Sequence, residues 1–311
     1  MTKDIIGIDI SKTTLDVHCL TDSAKAQFSN NKTGYSLLQK WLKGYNLTCI
    51  VYEPTGSYHR AFEEAFVQRF PLAKVNPLQA RRFAQAHGTR AKTDQVDARM
   101  LAVMGQALSV KPQAPTSKEQ RNLKELQVAR QALIKDRTRA LNRLDTLTLA
   151  VLKRQMKARI TQLKNQLNQI DKVIVELLQN TPNTSRAHSI ICSIPGLSRV
   201  SAAALLTEMP EIGTLNEKQV ASLAGLAPMT RQSGQWRGKA FIQGGRKHLR
   251  VSLYMPAVVA ARHNPDMKQF YERLIKAGKP PKLAFTAIMR KLILLANTLV
   301  KQNREWTPKR T

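Results

Sequence analysis

The chain has 311 residues, enough for about two domains, and carries 50 Lys and Arg against 21 Asp and Glu, a formal net charge of +29. Such a field favours polyanions, nucleic acid first among them, while an aromatic content of 5% argues against base stacking as the main binding mode. No signal-type leader or membrane-length apolar run is read, since the best run, 283–300, is broken by Arg290 and Lys291, and the three scattered cysteines show no metal spacing and fit a reducing compartment. The expectation is a soluble, cytoplasmic, nucleoid-associated protein.

The first third alternates β and α. DIIGIDI (4–10), TLDVHCL (14–20) and KAQFS (25–29) read as three successive strands. A helix follows near 35–43, then a short buried strand, TCIVY (48–52), ending at EPTG. A helix over 58–69, a strand at 72–76 and helices over 77–86 and 94–108 complete a mixed sheet with helices on its faces. In the first strand Ile6, Ile8 and Ile10 share one face, and Gly7 and Asp9 the other. A carboxylate on a core strand is costly unless it is paired or metal-bound. Thr93 is placed as the N-cap of the helix from 94, so Asp94 and Asp97 share one face, flanked by Lys92 and Arg99. Two readings of that acidic pair are open: complementing the helix dipole, or binding a divalent cation.

KPQAPTS (111–117) reads as a linker. Beyond it Met156, Ile160, Leu163, Leu167, Ile170, Ile174 and Leu177 repeat at alternating spacings of four and three, a coiled-coil seam. Upstream, a weaker heptad is interrupted by Arg130 and Arg137. An intramolecular helix pair and a dimer seam both satisfy this pattern. The last third reads as helical, punctuated by Gly and Pro. SIPGLSRVSAAALL (193–206) resembles a helix-hairpin-helix phosphate site, with a simple helix cap at Ser198 as the alternative. RQSGQWRGKAFIQGGRKHLR (231–250) holds six Lys or Arg, no acid and four glycines. The three zones, 1–110, 111–182 and 183–311, carry net charges of +5, +9 and +15.

Four acids stand out in this basic chain: Asp9, Glu53, Asp94 and Asp97. Carboxylates are the ligand set for Mg²⁺, and two such ions about 3.5–4 Å apart can clamp both oxygens of a phosphoryl displacement.

GIDISKTTLDV, YEPTG, NP at 76–77, KTDQVDARMLA, IPGLS, LAGLAP, SGQWRGKAFIQGGR, LYMPA and MRKL occur in this order over nearly the whole chain. Together they resemble the DEDD transposases of the insertion-sequence "one-ten" family, in its "eleven-eleven" branch, recombinases guided by a bridge RNA. The resemblance implies an α/β RuvC-like, ribonuclease-H-type domain (1–110), a linker with a coiled-coil spacer (111–182) and an all-α transposase domain (183–311). By motif it implies that Asp9, Glu53, Asp94 and Asp97 hold Mg²⁺ or Mn²⁺. It likewise implies that Ser233, in the SG pair of RQSGQ, attacks a DNA phosphate to give a phosphoserine link. Its implied partners are donor and target DNA, a structured noncoding guide RNA, and further copies of the chain in a dimer of dimers whose sites assemble between subunits.

Ser233 would otherwise read as a turn residue. No histidine base is evident beside it; His248 reads as a phosphate ligand, and metal, Arg231 and Arg237 are the groups that favour an alkoxide. Lys12 reads as a solvated loop residue or a phosphate contact. Thr55, Gly56 and Tyr58 shape the site or form a turn, and His59 and His87 read as structural. The rival enzyme is a RuvC-like, metal-dependent nuclease on branched DNA, which needs the acids but not Ser233. The rival without chemistry is a basic coiled-coil scaffold.

Overall fold

Alternating isoleucines make Asp4–Ile10 (β1) a strand with one wholly apolar face, and it becomes the centre of a five-stranded sheet. The computed structural model describes residues 3–89, 93–113 and 117–308. Lys92 and positions 114–116 of the expected linker lie outside the described residues. The chain falls into two units, Met1–Thr116 and Ser117–Thr311.

In the first unit, β2 (Thr14–Cys19) pairs antiparallel with β1 and with β3 (Lys25–Ser29), while β4 (Leu47–Tyr52) runs parallel to β1 and to β5 (Leu72–Lys74). The order is β3-β2-β1-β4-β5, a mixed sheet that fits a ribonuclease-H-like transposase. Helices α1 (Lys32–Leu42) and α2 (His59–Phe66) cover the isoleucine face, where Leu38, Phe62 and Phe66 are buried against Ile6, Ile8 and Ile10. Helices α3 (Pro77–Ala86) and α4 (Asp94–Ala107) cover the opposite face through Phe83, Leu101 and Met104.

Gly7 sets the depth of α4. A Cβ on Gly7 would sit 1.9 Å from the Ala98 carbonyl oxygen and 2.6 Å from the Ala102 nitrogen. Small residues on both sides therefore let the α4 backbone rest on β1, which brings the first turn of α4 toward the carboxyl end of that strand.

The second unit begins with a helical hairpin, α5 (Lys118–Thr146) and α6 (Ala150–Gln179). Ile160 and Leu163 pack with Ala140, Leu133 and Leu144, while Leu123, Ile174 and Leu178 enter the main core. The four-three seam is thus occupied within the chain, as an intramolecular pair. Arg130, which interrupts the heptad, reaches across to Asp171 with its guanidinium.

Helices α7 (Pro182–Cys192), α8 (Arg199–Glu208), α9 (Glu217–Leu223), α10 (Lys247–His263), α11 (Pro265–Lys276) and α12 (Pro281–Lys301) complete the unit. Ser198 caps α8, its Oγ accepting from the Ser201 amide at 3.2 Å, so the simple helix cap is realised there. α12 is long and apolar enough to span a membrane by length and composition, contrary to the reading of its sequence. Its Ile288, Leu292, Ile293, Ala296 and Leu299 are nevertheless 0% exposed in the protein core. Asn297 braces it, accepting from the Gly213 amide and donating to the Leu215 carbonyl.

One segment departs from the helical expectation. Residues 228–242 form a nested hairpin, β6 (Pro228–Met229) with β9 (Phe241–Ile242) and β7 (Gln232–Ser233) with β8 (Trp236–Arg237). Gly234, with φ +54°, occupies the first position of its two-residue turn, where glycine adopts a positive φ without steric cost.

Candidate active site

Asp9 is the penultimate residue of β1 and faces away from the isoleucine core. Ile8 pairs with Tyr52 in parallel register, so Glu53, the first residue beyond β4, follows Tyr52 beside Asp9 at the carboxyl edge of both strands. Ligand sites of such sheets form at this edge. Asp94 and Asp97 lie in the first turn of α4, which Thr93 caps by accepting from the Val96 amide at 3.3 Å.

The other three carboxylates act on Asp9. The Asp9 carboxyl is pushed up to about 6, first by burial and then by the charges of Asp94, Asp97, Glu53 and Asp16. Ionised, Asp9 therefore sits in an unfavourable field that a cation would relieve. Among the described residues no three His, Cys, Asp or Glu side chains are gathered closely enough to hold a metal ion. The donor chemistry still suits a hard divalent cation: all oxygen and anionic. Glu53 and Asp97 also line a cleft of about 630 Å³, walled by Arg81 and Gln85 of α3 and by Met100 and Met104 of α4.

A fifth acid escaped the reading of the sequence. Asp16 pairs directly with Asp9 across β1 and β2 and is 2% exposed. Its Oδ1 accepts from Gln27 Nε2 at 2.9 Å, and its Oδ2 has no hydrogen-bond partner. His18, opposite Gly7, is buried as well, with Nδ1 unpartnered; burial, then Lys25 and Arg99, depress its protonation. The signal was available: alternation in TLDVHC puts both residues on the face of Asp9 once the strands pair.

Ser233 belongs to the second unit and is exposed beside the hairpin turn. Arg231 lies with its guanidinium 4.7 Å from the Phe241 ring centroid, and Arg237 pairs with Gln232. Arg246 is committed elsewhere, forking onto Glu211 at 2.7 and 2.8 Å and donating to the Glu208 carbonyl. Arg250 donates to the Gly244 carbonyl at 2.7 Å. His248 is exposed in the first turn of α10.

The secondary candidates take structural places. Lys12 is exposed in the β1–β2 turn. Tyr58 donates its amide to the Thr55 carbonyl, closing a turn through Gly56. His59 faces Glu63 at 3.7 Å, and His87 ends α3 beside Phe83.

Known proteins resemble this chain over most of its length. Residues 6–152 match the DEDD-type IS110 transposase model, described as "Transposase", and residues 188–272 match "Transposase IS116/IS110/IS902 family". The pilin gene-inverting proteins of Moraxella lacunata and Moraxella bovis are each 32% identical over 319 aligned residues, covering 98% of this chain and 98% of theirs. A transposase for insertion sequence element IS1328 from Yersinia enterocolitica is 23% identical over 295 residues, covering 82% of this chain and 83% of its own. The chain belongs to the insertion-sequence one-ten (IS110) family of transposases and is a DNA recombination enzyme.

Proposed function

We propose that the chain breaks and rejoins DNA by transesterification at Ser233, assisted by a divalent cation and directed by a structured guide RNA. The observation that carries the metal half is the raised carboxyl of Asp9, buried and in the fields of Asp94, Asp97 and Glu53. Those four residues would hold Mg²⁺ or Mn²⁺, which when bound polarises phosphate oxygens and favours an ionised nucleophile. Asp9 and Glu53 are fixed by the sheet, and Asp94 and Asp97 by the capped helix, so the ligands are positioned by rigid elements.

The Ser233 oxygen forms a bond to phosphorus while one deoxyribose oxygen leaves as a hydroxyl, taking a proton. Attack by the hydroxyl of a second strand then breaks the phosphoserine bond and restores Ser233. One ester replaces another at each step, so rejoining needs no ATP. Arg231 and Arg237 flank the serine in sequence and supply cations for the charge that develops. Guide RNA pairing with donor and target DNA gives sequence choice, and several copies, a dimer of dimers, act together. The pilin gene-inverting relatives favour inversion of a DNA segment as one outcome.

The test incubates the protein with guide RNA and end-labelled DNA, then denatures the mixture on a gel. Wild type yields a protein–DNA adduct and Ser233→Ala none, while Asp94→Asn and EDTA each abolish strand exchange. Normal recombination by Ser233→Ala overturns the serine mechanism. Cutting without an adduct supports the metal-dependent nuclease instead.

A further inference from the structure

We propose that Trp236 stacks on a DNA base beside the phosphate presented to Ser233. The placement of that base rests on reading Ser233 as the nucleophile; the stacking itself does not. Trp236 is 60% exposed, among the most exposed large apolar side chains of the described residues. It is the direct cross-strand partner of Ser233. Directly paired residues project from the same face of a hairpin, with Cβ atoms about 4.5–5.5 Å apart. The next pair on that face is Arg231 with Gly238, whose amide donates to the Arg231 carbonyl at 2.9 Å. Serine, indole and guanidinium therefore share one surface.

The indole is held in place. Its ring lies over Gly238, where an added Cβ would come within 2.4 Å of it. Glycine at 238 lets the ring lie along the strand with its outer face in solvent. Arg231 shares the ring's face, Arg237 and Lys239 alternate with it along the chain, and 228–242 contains no acid. A ring face with a cation on its own surface and others next to it in the chain is complementary to a nucleobase and its phosphates. DNA is favoured over the guide because the ring neighbours the residue assigned to the DNA phosphate. A single such ring agrees with the low aromatic content, since charge remains the main source of affinity.

The full chain carrying Ser233→Ala, which stops chemistry, is titrated with single-stranded and duplex DNA while intrinsic fluorescence is followed. Trp41 and Trp306 give the constant background. DNA should quench the emission, and Trp236→Ala should remove most of the quench and weaken binding by about 5- to 150-fold. The salt dependence should stay unchanged, because no phosphate contact is lost. Trp236→Phe should restore most of the affinity, and Gly238→Ala, which displaces the ring, should behave like Trp236→Ala. Wild-type affinity in Trp236→Ala, failure of Trp236→Phe to rescue, or quenching by RNA alone overturns the proposal. Adduct formation by Ser233→Ala would overturn the nucleophile reading while leaving the quench intact, so the two failures are distinguishable.

Discussion

Replacing Asp9 with Asn should stabilise the protein while abolishing recombination. The Asp9 carboxyl titrates at about 6 in the fold against an ordinary value of 3.8. A difference of about two units corresponds to ~3 kcal/mol at most. Asp9 is partly exposed, so solvent screening reduces this to about 1–2 kcal/mol. The sign follows from linkage. The folded pKa is raised, so the fold binds the proton more tightly and loses stability as pH rises from about 4 to 6. Asn carries no charge and avoids that loss. Calorimetry of the full chain without divalent cation should show the Asn variant melting higher at pH 8, by roughly 4–8 °C for a unit of this size. The gain should shrink to a few tenths of a kcal/mol near pH 4, where wild-type Asp9 is protonated in the fold and already about two-fifths protonated when unfolded. Added Mg²⁺ should raise the wild-type midpoint more than that of the variant. Equal midpoints at pH 8, or an equal gain at both pH values, would refute the argument that burial and the other acids strain Asp9.

Gly7→Ala drives a methyl into the α4 backbone and should cost about 3 kcal/mol or more, read by urea unfolding, with loss of activity because Asp94 and Asp97 shift. Leu163→Glu with Leu167→Glu should melt the helical hairpin, lowering helix content by circular dichroism, because both residues are buried within one chain; unchanged helix content and a halved mass would restore the dimer seam. Arg246→Ala should cost about 1–2 kcal/mol at pH 7 by calorimetry. Arg246 holds the Glu211 carboxyl below its ordinary value, so this loss should fade as the pH falls below the ordinary carboxylate range and Glu211 protonates.

The sheet was legible because its alternation is strict. DIIGIDI and KAQFS match β1 and β3 end to end, and Asn76 before Pro77 marks the start of α3. The approach of Asp94 and Asp97 toward Asp9 was legible only through family motifs, since it depends on Gly7 admitting α4 and no local pattern reports it. Asp16 was hidden because a single strand does not reveal which neighbour it pairs with. The seam could not declare its partner, as four-three spacing is the same within and between chains. The 228–242 hairpin was missed because strands of two residues are too short to show a period.

The fork between Arg246 and Glu211 bears on how DNA binding responds to salt. Each phosphate neutralised on duplex DNA releases condensed counterions, with a slope of about −0.9 in the log–log plot of affinity against salt. Six basic side chains between 231 and 250 would suggest a slope of roughly −5. Arg246 and Arg250 are engaged with the protein itself, leaving Arg231, Arg237, Lys239 and Lys247. The segment can then contribute no more than about −3.6. The net charge of +29 describes the field that draws DNA inward, whereas the ions displaced at the hairpin are counted by those four residues.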